Sequence, residues 1–132
     1  TAKRVAYFKA KIEDKPGALL ALAKGLKEKK LDLIALKGVG QAGQGEILVI
    51  AKSPDKLREE WKASGALVEE GTVFFLSGTD TTGALVTSLD AIATAGVNLV
   101  ATEALAVGGK FGAVLWVSPE DLDKTAQALG AK

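Results

Sequence analysis

The chain has 132 residues, with no Cys, no His and a formal net charge of +1. A domain of this length buries roughly two-thirds of its unfolded surface, so it needs neither disulfides nor a metal to fold. Without Cys and His the chain lacks thiolate chemistry, the commonest metal ligand and the commonest general base, and the balanced charge argues against binding to nucleic acid or to an anionic membrane.

No apolar run approaches the roughly 20 residues that are needed to cross a bilayer. The basic start of the chain, residues 1–4, is not followed by the apolar core and cleavage site of a signal peptide. We therefore expect a soluble, cytoplasmic protein that holds no metal and no cofactor.

Residues 5–12 alternate between apolar and polar side chains, which predicts a half-buried strand. Asp14 follows as a candidate N-cap, and Pro16 suits a first helical turn. From Leu19 to Leu26 the apolar residues recur at helical spacing, and the basic residues after them suit a helix C-terminus. These patterns predict a strand, a tight turn and a helix.

Two further strands are predicted over residues 31–39 and 46–52, joined by a glycine-rich hairpin tip. The Ser-Pro-Asp sequence at 53–55 then predicts the start of a short helix, which Gly65 ends. A fourth strand begins near Ala66. The predicted order in the first half is strand, helix, strand, strand, helix, strand.

The second half repeats this pattern. Gly83 matches Gly17 at an offset of 66 positions. We expect a hairpin turn one residue shorter in the second copy, so that later matches fall at an offset of 65, as for Leu48 and Ala113. A shared period of this length predicts two copies of one supersecondary unit, repeat 1 at residues 1–70 and repeat 2 at residues 71–132.

The junction between the copies, residues 69–72, contains no linker rich in Pro or Ser. It is therefore either a tight bend or one long strand that both repeats share. Repeat 2 also ends where its fourth strand should begin, so it lacks an evident last strand. Its sheet is either three-stranded or completed by another strand, for example from a second chain.

This order of elements predicts an α+β chain of two ferredoxin-like βαββαβ repeats, each with an antiparallel sheet and both helices on one face. Within that architecture the chain resembles the ACT-domain family. The family's Asp-x-Pro-Gly turn, followed by small and aliphatic residues, is present at residues 14–19, and Gly96-Val97-Asn98-Leu99 is similar to its Gly-Val-Asn-Ile entry to the second strand. The resemblance covers essentially the whole chain, once per half.

The resemblance implies a tandem ACT protein, a non-catalytic regulatory module that binds an amino acid or a similar effector at the seam between paired ACT units. There the turn before the first helix of one unit faces the second strand of its neighbour. Main-chain amides at the helix start would bind a carboxylate, and a polar residue on the facing strand would bind the amino group. The implied ligand-binding residues are Asp14, Gly17, Ala18, Leu19, Asp32, Leu33, Asp80, Thr82, Gly83, Ala84, Leu85, Asn98 and Leu99.

The two copies depart from the family pattern at different places. The second turn has Thr81-Thr82 where the family has a residue followed by Pro, and the first copy has Asp32 where Asn is usual. A carboxylate at that position would repel a ligand's carboxylate or attract its ammonium group. We therefore expect the two seams to bind unequally. The sequence does not identify the ligand, because main-chain amides contact a carboxylate and not the side chain attached to it.

Other chemistries fit less well. Residues 38–43 match the dinucleotide fingerprint G-x-G-x-x-G, but a strand-like segment follows them, so a hairpin tip is the better interpretation. The adjacent carboxylates of Glu69 and Glu70 point to opposite faces of a strand, and no Ser or Thr has a His base. We therefore predict no enzyme activity.

The rival hypothesis is a non-catalytic assembly or dimerisation module whose seams hold its own side chains and no effector. The charges favour it, because residues 1–70 carry 14 basic and 10 acidic residues, whereas residues 71–132 carry 3 and 6. The partners we expect are a small-molecule effector, a second copy of the chain in a homodimer, and a regulated protein.

Overall fold

The computed structural model describes residues 1–131, with the main chain alone at residue 41. Within those residues the fold is α+β, with six strands, four helices and a short 3-10 turn at Pro119–Asp121. In chain order the elements are β1 (Ala2–Glu13), α1 (Ala18–Glu28), β2 (Leu33–Gln41), β3 (Gln44–Ala51), α2 (Pro54–Ser64), β4 (Leu67–Thr79), α3 (Val86–Thr94), β5 (Leu99–Val107), β6 (Lys110–Val117) and α4 (Leu122–Leu129).

The elements form two compact units. The first unit is Ala6–Gly71, and the second unit combines Thr1–Val5 with Thr72–Lys132. The boundary between them falls inside β1 and inside β4, so each of these two strands contributes residues to both units. The repeat boundaries expected from the sequence, 1–70 and 71–132, differ from this division chiefly in where they place Thr1–Val5.

In the first unit the strand order is β2-β3-β1-β4, and β3 pairs antiparallel with both β2 and β1. Phe8 of β1, Leu26 of α1 and Leu57 and Trp61 of α2 lie in one buried core. Both helices therefore cover the same face of this sheet, as expected for a ferredoxin-like unit. Burial of each large apolar side chain stabilises the unit by about 1.5–3 kcal/mol.

In the second unit the order is β1-β4-β6-β5, and β6 pairs antiparallel with β4 and β5. Phe74 of β4, Ile92 of α3, Leu115 of β6 and Ala126 of α4 share its core. This is the same arrangement as in the first unit. The β1 residues in this unit lie where the sequence left a fourth strand unassigned.

Two main-chain hydrogen bonds hold that additional strand in place. The Thr1 nitrogen donates to the Ser77 carbonyl at 2.9 Å, and the Ser77 amide donates to the Thr1 carbonyl at 3.0 Å. Ala2 packs against the core around Phe74. The additional strand of the second unit is therefore supplied by residues 1–5 of the same chain, and residues 69–72 lie within the long strand β4 and not in a tight bend.

The two hairpins have the same length, contrary to the sequence prediction. Gln41 pairs with Gln44, and Val107 pairs with Lys110, so each turn has two residues. The offset of 66 therefore continues through the hairpin, and Ile47, not Leu48, matches Ala113; both of those residues lie in their unit's core. The one-residue difference falls after β6, in the connection to the next helix.

The prediction that Asp14 caps the first helix is also wrong. α1 begins at Ala18 with Gly17 in the N-cap position, and no side chain donates or accepts a capping hydrogen bond there. Gly17 has φ = 87°, a left-handed conformation that glycine adopts without steric cost. α3 likewise begins after Leu85 with no side-chain cap, so Asp80 does not cap it either.

Candidate functional site

The second unit contains a cleft beside the turn between β4 and α3. Its volume is about 350 Å³, at the lower end of the range of roughly 300–1,000 Å³ for small-molecule pockets. From the turn it is lined by Asp80, Thr81, Gly83, Ala84 and Leu85. The structure thus gathers four of the residues that the sequence implicated, Asp80, Gly83, Ala84 and Leu85, around one cavity.

The opposite side of the cleft is formed by strand residues that the sequence analysis missed. Residues 104–106 of β5 and Phe111 of β6 line it. Ala104 and Ala106 pair with Ala113 and Phe111 across the β5–β6 ladder. Short side chains on β5 leave room beneath the turn, and a signal for this was available, since the matching positions in the first half are Gly38 and Gly40.

Main-chain amides at the two turns are partly engaged. The Ala18 amide donates to the Lys15 carbonyl at 3.2 Å, and the Ala84 amide donates to the Thr81 carbonyl at 2.9 Å. Both were expected to receive a ligand's carboxylate, and both are instead used to close the turn. Among the residues described, no main-chain acceptor pairs with the amides of Leu19 and Leu85, so these are the remaining candidate donors in each turn.

The carboxylate of Asp80 is the one charged group among the residues that line this cleft. The rest of the lining consists of alanine methyl groups, two leucine side chains, an aromatic ring, a hydroxyl and main chain. Such a cavity accepts a small molecule that combines an apolar part with an ammonium or hydrogen-bonding group. It lacks the paired acid and base that hydrolytic or transfer chemistry needs.

The first turn is arranged differently. The Asp14 side chain lies directly on the main chain of Gly40 in β2, where an added Cβ would be 2.6 Å from Asp14 Oδ1. Gly17 and Leu19 are exposed and Ala18 is half-buried. At this turn a carboxylate of the protein itself therefore covers the facing strand at Gly40.

Asp32 and Leu33 lie at the far end of α1 from that turn. A helix of 11 residues is about 16 Å long, which separates them from Gly17 within the unit. They line another cleft of about 380 Å³, whose rim carries Lys27 and Lys30. Lys30 occupies the left-handed region with φ = 56°, where the matching residue of the second unit is Gly96.

Thr82, Asn98 and Leu99 complete the predicted set. Thr82 is exposed on the second turn but does not line its cleft, and Asn98 is exposed immediately before β5. Leu99 packs against the core of the second unit. Within the unit Asn98 and the Asp80 turn lie at opposite ends of α3, so a site that uses both needs a neighbouring unit.

A separate polar cluster lies on the face of the first unit opposite its core. The Tyr7 hydroxyl donates to Glu69 Oε2 at 2.8 Å, and Lys9 Nζ lies 3.4 Å from both Glu69 and Glu46. Burial, followed by the hydrogen bond to Glu69, raises the pKa of Tyr7 to about 12. The same hydrogen bond lowers the pKa of Glu69.

Residues 1–131 contain no group of three or more acidic side chains placed to bind a metal ion. Nor do they include a helix with the length and apolarity required to span a bilayer.

The chain is similar to several solved structures. One is a Bacteroides thetaiotaomicron protein, with 24% identity and a TM-score of 0.83 over 98% of this chain and 88% of that one. Another is the ligand-free regulatory subunit of aspartate kinase from Thermus thermophilus, with 14% identity and a TM-score of 0.63 over 97% of this chain and 91% of that one.

Aspartate kinase from Clostridium acetobutylicum is a third, with 12% identity and a TM-score of 0.53 over 98% of this chain and 32% of that one. No protein-family model and no curated protein sequence matches the chain. At these identities the likeness shows the fold. The chain has the ACT-like, ferredoxin-like fold of the aspartate kinase regulatory subunit.

Proposed function

We propose that this chain is a regulatory module that binds a small molecule, a free amino acid, against the turn at residues 80–85. The observation that carries the proposal is the cleft of about 350 Å³, because four of its lining residues are ones that the sequence implicated independently. The fold shared with a regulatory subunit of aspartate kinase supports the regulatory role. The module has no catalytic role of its own.

The proposal includes a duplicated origin, with repeat 1 at residues 1–70 and repeat 2 at residues 71–132. The hinge aspartates support it. The Asp14 amide donates to the Gly43 carbonyl at 3.2 Å, and the Asp80 amide donates to the Gly109 carbonyl at 2.9 Å. Equivalent residues at an offset of 66 thus make the same main-chain bond, and both glycines have positive φ.

We place the complete site at a seam between ACT-like units of two copies of the chain in a homodimer. β5 supports this because it is the last strand in its sheet and is exposed on both faces. Val100, Leu105 and Val107 are 64%, 69% and 68% exposed. An apolar edge strand with unpaired main-chain groups is a template for pairing with another strand. A facing unit would bring a polar residue such as Asn98 or Asp32, each immediately before a strand, to the ligand.

The alternative function is assembly without an effector. The same exposed edge of β5 favours it, because dimerisation through this edge requires no ligand. In that case the side chains of the partner fill the cleft, and binding of amino acids is absent.

A thermal-shift panel of the twenty amino acids separates the two functions. A ligand at about 100 times its dissociation constant stabilises the folded state by about 2.7 kcal/mol, which raises the melting temperature of a chain of this size by on the order of 10 °C. A shift of less than about 1 °C with every amino acid would reject the sensor and leave the assembly module.

A matched pair of variants locates the site. Ala104→Leu fills the floor of the cleft and should abolish the shift. Thr102→Leu places the same side chain two residues away, on the same face of β5 but outside the cleft, and should leave the shift unchanged. Equal shifts in both variants would show that the ligand binds elsewhere.

A further inference from the structure

The two hinge aspartates make the same main-chain bond, but their carboxylates lie in different surroundings. The Asp14 carboxylate lies over Gly40, and its Oδ1, Cγ and Oδ2 are 2.6, 2.7 and 2.7 Å from the position that a Cβ at Gly40 would take. Real Cβ atoms do not approach other heavy atoms so closely. The carboxylate therefore occupies the space that any side chain at this position would need.

The matching residue in the second unit is Ala106, which has a methyl group in that space. A carboxylate at Asp80 has no such space to occupy, because the methyl is already there. Asp80 instead lines an open cleft together with Ala106. The two turns therefore differ by one exchange on the facing strand. Gly40 in the first unit allows the Asp14 carboxylate to cover β2, whereas Ala106 in the second unit keeps the Asp80 carboxylate off β5 and leaves that strand accessible.

A second exchange changes the wall of the cleft. In the first unit Ile12 of β1 pairs with Gly45 of β3, and a Cβ at Gly45 would be 2.9 Å from Ile12 Cγ1. In the second unit the sizes are reversed, since Gly78 of β4 pairs with Phe111 of β6, and a Cβ at Gly78 would be 2.9 Å from Phe111 Cε1. In the second unit the large side chain, Phe111, is therefore on β6, the strand that pairs with β5, and its ring forms one wall of the cleft.

We infer that only the turn of the second unit binds the effector, one molecule per chain, and that the effector is an amino acid with an apolar side chain. Its ammonium group pairs with the Asp80 carboxylate, and its side chain packs on Ala104, Ala106 and the Phe111 ring. In the first unit the Asp14 carboxylate fills the equivalent place, so that turn is a structural copy without a ligand. This inference rests on the function proposed above.

Calorimetric titration of the full chain with L-leucine and L-phenylalanine tests the inference. We expect a stoichiometry of one ligand per chain, that is, two ligands per homodimer. Asp80→Asn should weaken binding at least tenfold, because it removes the charge that pairs with the ammonium. Asp14→Asn, its matched control at the equivalent position, should change the affinity less than twofold.

Isocaproate, which lacks the amino group of leucine, provides a second control and should not bind. Melting temperatures of both variants without ligand show whether they remain folded, and exposed aspartates in turns should tolerate the change. Two ligands per chain, or loss of binding in Asp14→Asn with binding retained in Asp80→Asn, would overturn the inference and leave the proposed function intact. Binding of polar amino acids alone would overturn the ligand class. No binding by any amino acid would reject the proposed function itself.

Discussion

Thr1 and Ser77 form an antiparallel hydrogen-bonded pair, with main-chain bonds of 2.9 and 3.0 Å across a sequence separation of 76 residues. Together with the packing of Ala2 on the core around Phe74, this pair makes the first five residues part of the second unit. Residues 1–5 therefore form a strand of the second unit, in which the other strands, β4, β5 and β6, come from residue 67 onward in the sequence.

Deletion of residues 1–5 should destabilise the second unit by about 2–5 kcal/mol, since it removes several main-chain hydrogen bonds worth about 0.5–1.5 kcal/mol each together with apolar burial. Denaturant midpoints measure the effect. Arg4→Ala is the control: its partner Asp123 is 94% exposed, so loss of that ion pair should cost less than about 1 kcal/mol. An unchanged midpoint after the deletion would contradict the assignment of this strand.

Gly78→Ala should lower the free energy of unfolding by about 1–3 kcal/mol, because the new methyl would lie 2.9 Å from Phe111 Cε1 and must displace the ring. The double variant Gly78→Ala with Phe111→Leu should recover part of this loss. Gly25→Ala serves as the control: it lies within α1 with nothing within 4 Å of the new methyl, and should stabilise the protein by about 0.5–1 kcal/mol. A neutral Gly78→Ala variant would show that the Phe111 ring moves without cost.

Lys30→Gly should raise the free energy of unfolding by about 1 kcal/mol, because Lys30 has φ = 56° and a left-handed conformation costs a residue with a Cβ about that much. Gly96→Ala, at the matching position with φ = 75°, should have the opposite effect. Chemical denaturation of both variants checks the pair. Opposite signs from those expected would mean that contacts of the Lys30 side chain outweigh the backbone strain.

The phenol of Tyr7 should titrate near pH 12, because burial and the hydrogen bond to Glu69 raise its pKa. Tyr7 is the single tyrosine in the sequence, so phenolate absorbance reports it alone. The pKa of Tyr7 in the folded chain lies above the unfolded value of 10.0, so the protonated phenol contributes to the stability of the folded state. That contribution is complete below pH 10 and is lost as the pH rises toward 12.

Glu69→Gln should lower that midpoint while leaving it above 10, since burial remains the larger cause. Tryptophan fluorescence followed in parallel identifies the pH range in which the chain is folded. A midpoint near 10 in that range would contradict the buried hydrogen bond. Glu69 has the opposite pH dependence, because folding lowers its pKa. The ionised Glu69 carboxylate therefore stabilises the folded state above its unfolded pKa, and this stabilisation is lost in acid.

Local patterns predicted most of the fold. Alternation over residues 5–12 and helical spacing from Leu19 to Leu26 fall in β1 and α1, and Gly65 ends α2 as expected. These features depend on neighbouring residues in the chain. The pairing of Thr1 with Ser77 depends on residues far apart in sequence, and no local pattern specifies it.

Local patterns also indicated only some of the residues that line the cleft. The turn containing Asp80 and Gly83 carried a local signal. The floor of the cleft carried only an indirect signal, the small residues Gly38 and Gly40 at the matching positions of the first half. Alanines such as Ala104 are common in strands and matter here only through their position opposite that turn. The register error at Leu48 shows how a one-residue slip reverses which face of a strand is assigned to the core.

The contribution of Thr1–Val5 to the second unit makes the chain nested: the whole of Ala6–Gly71 is inserted, in sequence, between two parts of one compact body. During synthesis on a ribosome the inserted part emerges as one continuous segment, whereas residues 1–5 cannot pair until β4 has been synthesised. A circular permutant that carries these five residues behind residue 132 would make each body contiguous, and its refolding rate would report how much the nested order slows the native chain.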